Sequence, residues 1–370
     1  MEEPRPDAAP DDLEPTDEAT SLSRRYATMV AAVVTLIVLT CVAFIVPVPY
    51  VTMRPGPVFN TLGNFDGEPM FTFGKGVKTY QTKGALDFTT VSVTRADTKL
   101  SLFRVLMAYR DKDVAVVPHD FVYPDDQSES DAKSEGQAQL TSSKDASRVA
   151  ALRAAGYTVG EDPVVAGVVK GGAADGTLRA KDVIRTVDGA RVGSSAAVVK
   201  AIQKLEPGQK VTLGITRDGT PQKVTLTTRP DAQDPKLPRV GITISTQYDF
   251  PIKIVNHVGD SVGGPSAGTM FALAIYDRLT PGSLTGGLQV AGTGEITADG
   301  VVGPIGGIRQ KMAGAAAGGA KVFLAPSSNC DEVKGADLHG LNVVKISTLK
   351  DAITALGELS KNPNAEVPRC

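Results

Sequence analysis

Ser266 stands in the run Gly263-Gly264-Pro265-Ser266-Ala267-Gly268, and Lys311 stands in Gly306-Gly307-Ile308-Arg309-Gln310-Lys311. A serine hydroxyl is a weak nucleophile until a neighbouring base takes its proton, and a lysine stripped of water can be that base. The glycines before Pro265 permit a tight turn that bulkier residues would resist. Ala267 to Leu279 then reads as a helix with almost no polar face, which predicts burial. Ser266 would sit at its N-terminal end, where backbone N–H groups lack intrahelical partners and point outward. Such donors can hold the oxyanion of a tetrahedral intermediate, at about 10²–10³ in rate per donor. Gly264, Pro265 and Ala267 are the expected turn and oxyanion residues. The plainer alternative is a Gly-Pro-Ser turn that only caps a helix.

The lysine needs its own scaffold. Gln289 to Thr297, the turn Ala298-Asp299-Gly300 and Val301 to Ile305 read as a hairpin. Gly306-Gly307 then opens a helix near Ile308, with Ile308, Met312, Ala315 and Ala316 on its apolar side and Lys311 beside them. Desolvation disfavours an ammonium and lowers its pKa. A base near neutrality needs a lysine roughly 2–3 pH units below its usual ~10.4. The alternative is a lysine that snorkels to solvent.

Three blocks carry a resemblance. Gly264-Pro265-Ser266-Ala267-Gly268, Thr293-Gly294-Glu295-Ile296-Thr297 and Pro304-Ile305-Gly306-Gly307-Ile308-Arg309-Gln310-Lys311 resemble the signature blocks of the Lon-type Ser-Lys protease domain, in that family's order and spacing. Gly318-Gly319-Ala320-Lys321 and the strand Val322 to Pro326 continue the match, which covers about residues 240 to 358. The resemblance implies Ser266 as nucleophile and Lys311 as general base. It also implies that Thr293 orients the amine. Many Lon domains place an acidic residue directly before Gly-Pro-Ser. Here that place holds Gly263, and Asp260, three residues earlier, is the candidate for a supporting role. ATP-dependent members carry an ATPase module, but no G-x-x-x-x-G-K-[ST] occurs in this chain. No nucleotide, cofactor or metal is expected.

Residues 157 to 230 form a second unit. Pro163 to Val169 reads as a strand, Ser194 to Leu205 as an amphipathic helix, and Val211 to Arg217 with Gln222 to Thr228 as a hairpin about Asp218-Gly219. Val168-Val169-Lys170-Gly171-Gly172-Ala173-Ala174, Leu178 to Ile184 and Val187-Asp188-Gly189 resemble a PDZ domain of the bacterial protease type. That resemblance implies peptide binding by strand addition beside the first strand and the helix. The carboxylate-binding loop is expected near Gly156-Tyr157-Thr158-Val159, which departs from the usual Gly-Leu-Gly-Phe.

The 370 residues allow two or three domains. A net charge of −2, no tryptophan and 5% aromatics argue against nucleic acid. The three histidines, His119, His257 and His339, are far apart, so a histidine metal cluster is not expected and a Ser-His-Asp triad has few candidate bases. Cys330 and Cys370 are open to pairing outside the cytosol or to remaining thiols.

Residues Ala27 to Val46 carry no charge and match the ~20 residues needed to cross a bilayer. Arg24 and Arg25 precede the run and the next basic residue is Arg54, so the N-terminus is expected in the cytoplasm and the rest outside. No small-x-small cleavage site follows, which favours an uncleaved anchor.

The expected fold class is α+β multidomain, with an N-terminal transmembrane helix, a β-rich region with an inserted PDZ-like domain, and a C-terminal Lon-type α/β domain. The expected domains are a disordered cytoplasmic tail (1–26), a transmembrane helix (27–46), a β-rich extracytoplasmic region with a mobile loop and a helix over Ala146 to Ala155 (51–156), a PDZ-like domain (157–230) and a Lon-like protease domain (239–360). The layout resembles the membrane-anchored PDZ-Lon-like proteases of Gram-positive bacteria, including actinobacteria. It implies an ATP-independent serine endopeptidase acting on extracytoplasmic or membrane-associated polypeptides. Self-association is expected by analogy with Lon rings. The rival from another class is a non-catalytic membrane scaffold whose function is peptide binding by the PDZ-like unit.

Overall fold

The computed structural model describes residues 17–124 and 128–370, with side chains described from residue 24 onward. The chain divides into two compact units, one of residues 1–54 and 92–132 and one of residues 55–91 and 133–370.

The larger unit is built on a sheet in which Asn342–Ile346, Val322–Pro326, Gln289–Gly292 and Ala85–Val93 lie side by side in that order. Its central pairings are parallel, with Gln289–Gly292 lying between Val322–Pro326 and Ala85–Val93. Val322–Pro326 is buried at every position, as a parallel strand covered on both faces must be. Alternate residues feed two cores. Val290, Val322, Leu324 and Val344 pack with the helix Gly268–Leu279, the helix Leu349–Lys361 and Leu140 to Leu152. Ala291, Phe323, Ala325 and Val343 pack with the helix Ile308–Ala317. The sheet is therefore sandwiched, with the serine-bearing and lysine-bearing helices on opposite faces.

Each helix has a local cause. Gly268–Leu279 is apolar nearly all round and is buried nearly all round. Phe271 alone meets Phe71 and Phe88 edge-on at 5.9 and 5.4 Å, so Phe271→Ala would cost about 3–5 kcal/mol. Leu349–Lys361 begins with a capping box of Thr348 and Asp351.

The PDZ-like body sits inside this unit as an insertion. Its sheet runs Thr220–Thr227, Lys210–Arg217, Val183–Val187, Gly160–Val168, Ile242–Asp249, and its helix Ser195–Ile202 is capped by Ser194. Asp249 pairs with Gly160, so the chain enters and leaves the insertion side by side.

Several sequence expectations need correction. The boundaries 157–230 and 239–360 are displaced: Ile242–Asp249 closes the PDZ-like sheet. The region 51–156 is not a separate body, because Ala85–Val93 is a core strand of the same sheet as Gln289–Gly292 and Val322–Pro326. Short strands are locally legible, but the sheet they join is fixed by long-range pairing. The expected loop followed by a helix from Ala146 is one helix, Glu129–Ala154. Its polar serines at 143 and 147 are buried against other elements rather than solvated. Residues 125–127 of that loop, and 1–16 of the expected tail, lie outside the described residues. Residues 17–26 are helical, because propagating a helix from the apolar run costs less than starting one. The expected hairpin over 289–305 is instead the core strand Gln289–Gly292 followed by the short antiparallel pair Glu295–Ile296 and Val302–Gly303.

In the smaller unit the helix Asp17–Ile45 includes an apolar stretch, Arg24–Ile45, long and apolar enough to cross a membrane and exposed along nearly all of its length among the described residues. Pro47–Val48 pairs with Leu100–Ser101, and the helix Leu102–Tyr109 follows directly. Ala115–Pro118 pairs with Tyr50 to Met53, and Tyr123 donates its O–H to the Thr94 carbonyl at 3.0 Å.

Candidate active site

The register of the central strands sets the site. Gly292 lies opposite Phe88, so Thr293 and Thr89 emerge side by side where the two parallel strands stop pairing. The lysine helix reaches this point from one face of the sheet and the serine turn from the other. Lys311 Nζ lies 2.8 Å from Ser266 Oγ, 3.0 Å from Thr293 Oγ1 and 3.3 Å from the Thr89 carbonyl. Thr293 donates its own hydroxyl hydrogen to the Ser266 carbonyl at 3.0 Å. Its oxygen is then left to accept from the amine. A neutral amine has two hydrogens and one lone pair. With the hydrogens on Thr293 Oγ1 and Thr89 O, the lone pair faces the Ser266 hydroxyl.

Lys311 is 3% exposed, and burial pushes its pKa down to about 8. Ser266 is only half-buried, so the hydroxyl is reachable while its partner is dry. Two glycines make the approach possible. Gly264 holds φ +85 in the serine turn and Gly307 holds φ +70 at the start of the lysine helix, both left-handed positions that favour glycine.

The other expected residues divide. Thr293 joins the lysine. Ala267 stands at the N-cap of the serine helix, and the Ser266 and Ala267 N–H groups have no backbone acceptor among the described residues. The Gly264 N–H is engaged, donating to the Gly136 carbonyl at 2.9 Å, so it is not an open oxyanion donor. Pro265 has no N–H and shapes the turn. Asp260 does not join the site: it is exposed, its carbonyl accepts from Gln137 Nε2 at 3.1 Å, and burial alone accounts for the shift at Lys311.

Sequence reasoning missed the residues that hold the serine loop. Gln137 Nε2 also donates to the Val262 carbonyl at 3.0 Å, and Ser143 Oγ to the Pro265 carbonyl at 2.9 Å. Lys144 Nζ donates to the Val258 carbonyl at 2.6 Å, and burial pushes its pKa down. All three lie on one helix, Glu129–Ala154, whose polar composition hid its contacts. Asn329, 2% exposed, brackets Ile305 with an N–H···Oδ1 bond of 3.0 Å and an Nδ2–H···O bond of 2.9 Å, fixing the entry to the lysine helix. Its neighbour Cys330 is disulfide-bonded to Cys370. A cleft of about 390 Å³ opens beside the serine turn, between Ser142, Ser143 and Gln139 on one side and Pro265, Glu295 and Ile296 on the other.

The PDZ-like body corrects another expectation. Its first strand, Gly160–Val168, is paired on both edges, so a peptide cannot add there. Like Thr220–Thr227 at the other side, Ile242–Asp249, next to that first strand, is an edge strand of the sheet. A cavity of about 400 Å³ lies between this strand and the helix, lined by Val199, Ile202, Ile242 and Ile244. The loop leading into the Ile242–Asp249 edge is Val240-Gly241, not Gly156 to Val159.

Comparison with known proteins agrees with both folds. Residues 247–356 match the Lon protease (S16) C-terminal proteolytic domain, and residues 138–228 match the PDZ domain. Two separate stretches of the chain thus match family models, one a PDZ domain and the other a Lon proteolytic domain. Lon protease 2 of Bacillus subtilis is 31% identical over 118 residues, 32% of this chain and 20% of that protein. Lon protease 1 of Hydrogenovibrio crunogenus is 45% identical over 84 residues, 20% of this chain and 10% of that protein. The chain thus spans a fifth or less of these curated relatives. The PDZ domain of an SdrC-like protein from Listeria monocytogenes superimposes with a TM-score of 0.21 at 23% identity, covering 22% of this chain and 85% of that one.

Proposed function

We propose that the chain is an ATP-independent serine endopeptidase with a Ser266–Lys311 dyad, anchored in a membrane by Arg24–Ile45 with the other domains outside the cytoplasm. The observation that carries the reading is the dry amine of Lys311 at 2.8 Å from Ser266 Oγ. The neutral amine takes the hydroxyl proton as Ser266 Oγ bonds to the peptide carbonyl carbon. The oxyanion is met by the Ser266 and Ala267 N–H groups. The C–N bond then breaks as the ammonium returns its proton to the leaving amine. Water, deprotonated by the same lysine, releases the acyl group and restores the serine. Thr293 orients the amine in every step. The Cys330–Cys370 bond fits an oxidising compartment. The edge strand Ile242–Asp249 and its cavity fit an extended polypeptide, delivered to the protease domain.

The test is cleavage of an unfolded protein without ATP, by the full chain and by Ser266→Ala. Cleavage by the first and none by the second is expected. Turnover that survives in purified Ser266→Ala would refute the dyad. Peptide binding with no turnover in any condition would favour the scaffold instead.

A further inference from the structure

The helix Leu102–Tyr109 reverses the usual polarity of a surface helix. Its buried residue is the small Ala108, while Leu102, Leu106, Met107 and Tyr109 are exposed and Phe103 is left more than a third open. Leu106 and Met107 are 55% and 53% exposed, and Tyr109 is 82% exposed. A helix that is apolar on its open face has a partner there. Its position identifies the partner. The Leu102 N–H donates to the Val46 carbonyl at 3.3 Å, one residue past the end of the apolar helix Asp17–Ile45. Phe103 stacks on Phe44, inside that helix, with ring centroids 4.2 Å apart. Pro47–Val48 pairs with Leu100–Ser101, locking the two helices at one level. If Phe44 lies at the edge of a bilayer, Phe103 lies there too. Phe121, 79% exposed in the short helix His119–Val122, adds an aromatic ring to the same unit.

We propose that Leu102–Tyr109 is a membrane-seated platform, embedded in the headgroup–acyl boundary of the lipid bilayer that the N-terminal helix crosses. The proposal rests on the reading of Arg24–Ile45 as a span. Aliphatic and aromatic side chains enter the boundary region to about 5–10 Å, and tyrosine settles at the headgroups. Arg104 and Arg110, both exposed, have stems long enough to keep their charges among the phosphates. A span alone leaves the extracytoplasmic part free to swivel on one chain crossing. A second contact removes that freedom and fixes the smaller unit against the lipid.

The natural chain has no tryptophan, so one introduced indole reports its surroundings alone. The full chain is reconstituted in phosphatidylcholine–phosphatidylglycerol vesicles whose acyl chains are brominated at defined depths. Tyr109→Trp and Met107→Trp report the platform, Leu36→Trp the span and Val199→Trp a surface of the PDZ-like body. Expected is loss of emission for Leu36→Trp, loss for both platform probes that is greatest with shallow bromines, and none for Val199→Trp. Quenching of Leu36→Trp with platform probes as bright as Val199→Trp would overturn the platform and leave the anchor standing. An unquenched Leu36→Trp would overturn the anchor and the platform with it. Quenching of Val199→Trp equal to that of the platform would overturn the proposal as non-specific adsorption. Two platform sites, one an aromatic exchange at an open position, guard against a single misfolded variant.

Discussion

The two ends of the serine helix each bury an ionisable group, and they treat it differently. At the N-terminal end Lys311 is buried against three oxygen partners, and burial lowers its pKa to about 8. At the C-terminal end Asp277, 1% exposed, is pushed up to about 6 by burial. Its Oδ1 accepts the Leu284 N–H at 2.7 Å, but its Oδ2 has no partner among the described residues. Both charges are disfavoured by the same desolvation. The lysine is surrounded by groups that tolerate a neutral amine and aim its lone pair. The aspartate is only half satisfied, and it holds the turn after the helix at a cost in stability. A shifted pKa marks chemistry only where geometry gives the uncharged form something to do.

The comparison breaks most simply at the lysine. Lys311→Met should lower kcat by about 10²–10⁴, the usual worth of a general base. The fold should persist, because a thioether of similar length replaces a desolvated amine. Loss of the thermal transition together with activity would show that the amine is structural. In the parent, kcat/KM should rise with pH up to about 8 and then level off, because only the neutral amine accepts a proton. Thr293→Val is the sharper probe. It removes the oxygen that accepts from the amine but leaves its bulk, so kcat should fall about 10-fold with KM little changed, as for one lost aiming hydrogen bond of roughly 1–1.5 kcal/mol. An unchanged kcat would remove Thr293 from the mechanism.

How much of this was legible in the sequence follows from where the contacts come from. Ser266, Thr293 and Lys311 lie in compact blocks whose turns are written in glycine and proline, so the three residues that meet could be picked out together. The Thr89 contact uses a carbonyl, which any residue supplies, on a strand far upstream. Gly136, Gln137, Ser143 and Lys144 lie in a stretch rich in Ser, Asp, Gln and Glu. The side chains of Gln137, Ser143 and Lys144 meet backbone carbonyls, Gly136 offers its own carbonyl to the Gly264 N–H, and no periodicity records such contacts. The PDZ-like body was legible in its hairpin and helix because their pairings are local, but its closing strand was not, because it pairs with Gly160–Val168 far upstream. Gln137→Ala tests whether the unread helix matters. Losing its two bonds to the Asp260 and Val262 carbonyls should loosen the serine turn and lower kcat by about 5-fold, equivalent to roughly 1 kcal/mol of neutral hydrogen bonding. The pH midpoint near 8 should stay, since Lys311 keeps its burial; a moved midpoint would mean that this helix also sets the lysine.

The smallest expected effect is at the other end of the serine helix. The folded-state pKa of Asp277, about 6, lies above its ordinary value of 3.8. The folded protein therefore binds a proton that the unfolded chain has already released between these values. Its contribution to stability is complete below about pH 4 and is lost as pH rises through about 6. Asp277→Asn keeps an oxygen for the Leu284 N–H and removes the charge. Complete removal of a shift of this size would be worth about 3 kcal/mol. The asparagine still buries an amide with no partner of its own, which offsets much of that. The expected gain is about 1 kcal/mol at pH 7–8, shrinking towards zero or reversing at pH 4. Urea unfolding of the parent and the variant at both pH values measures it. A variant equally destabilised at both would show that the carboxylate is satisfied by a partner, and the contrast between the two ends of the helix would fail.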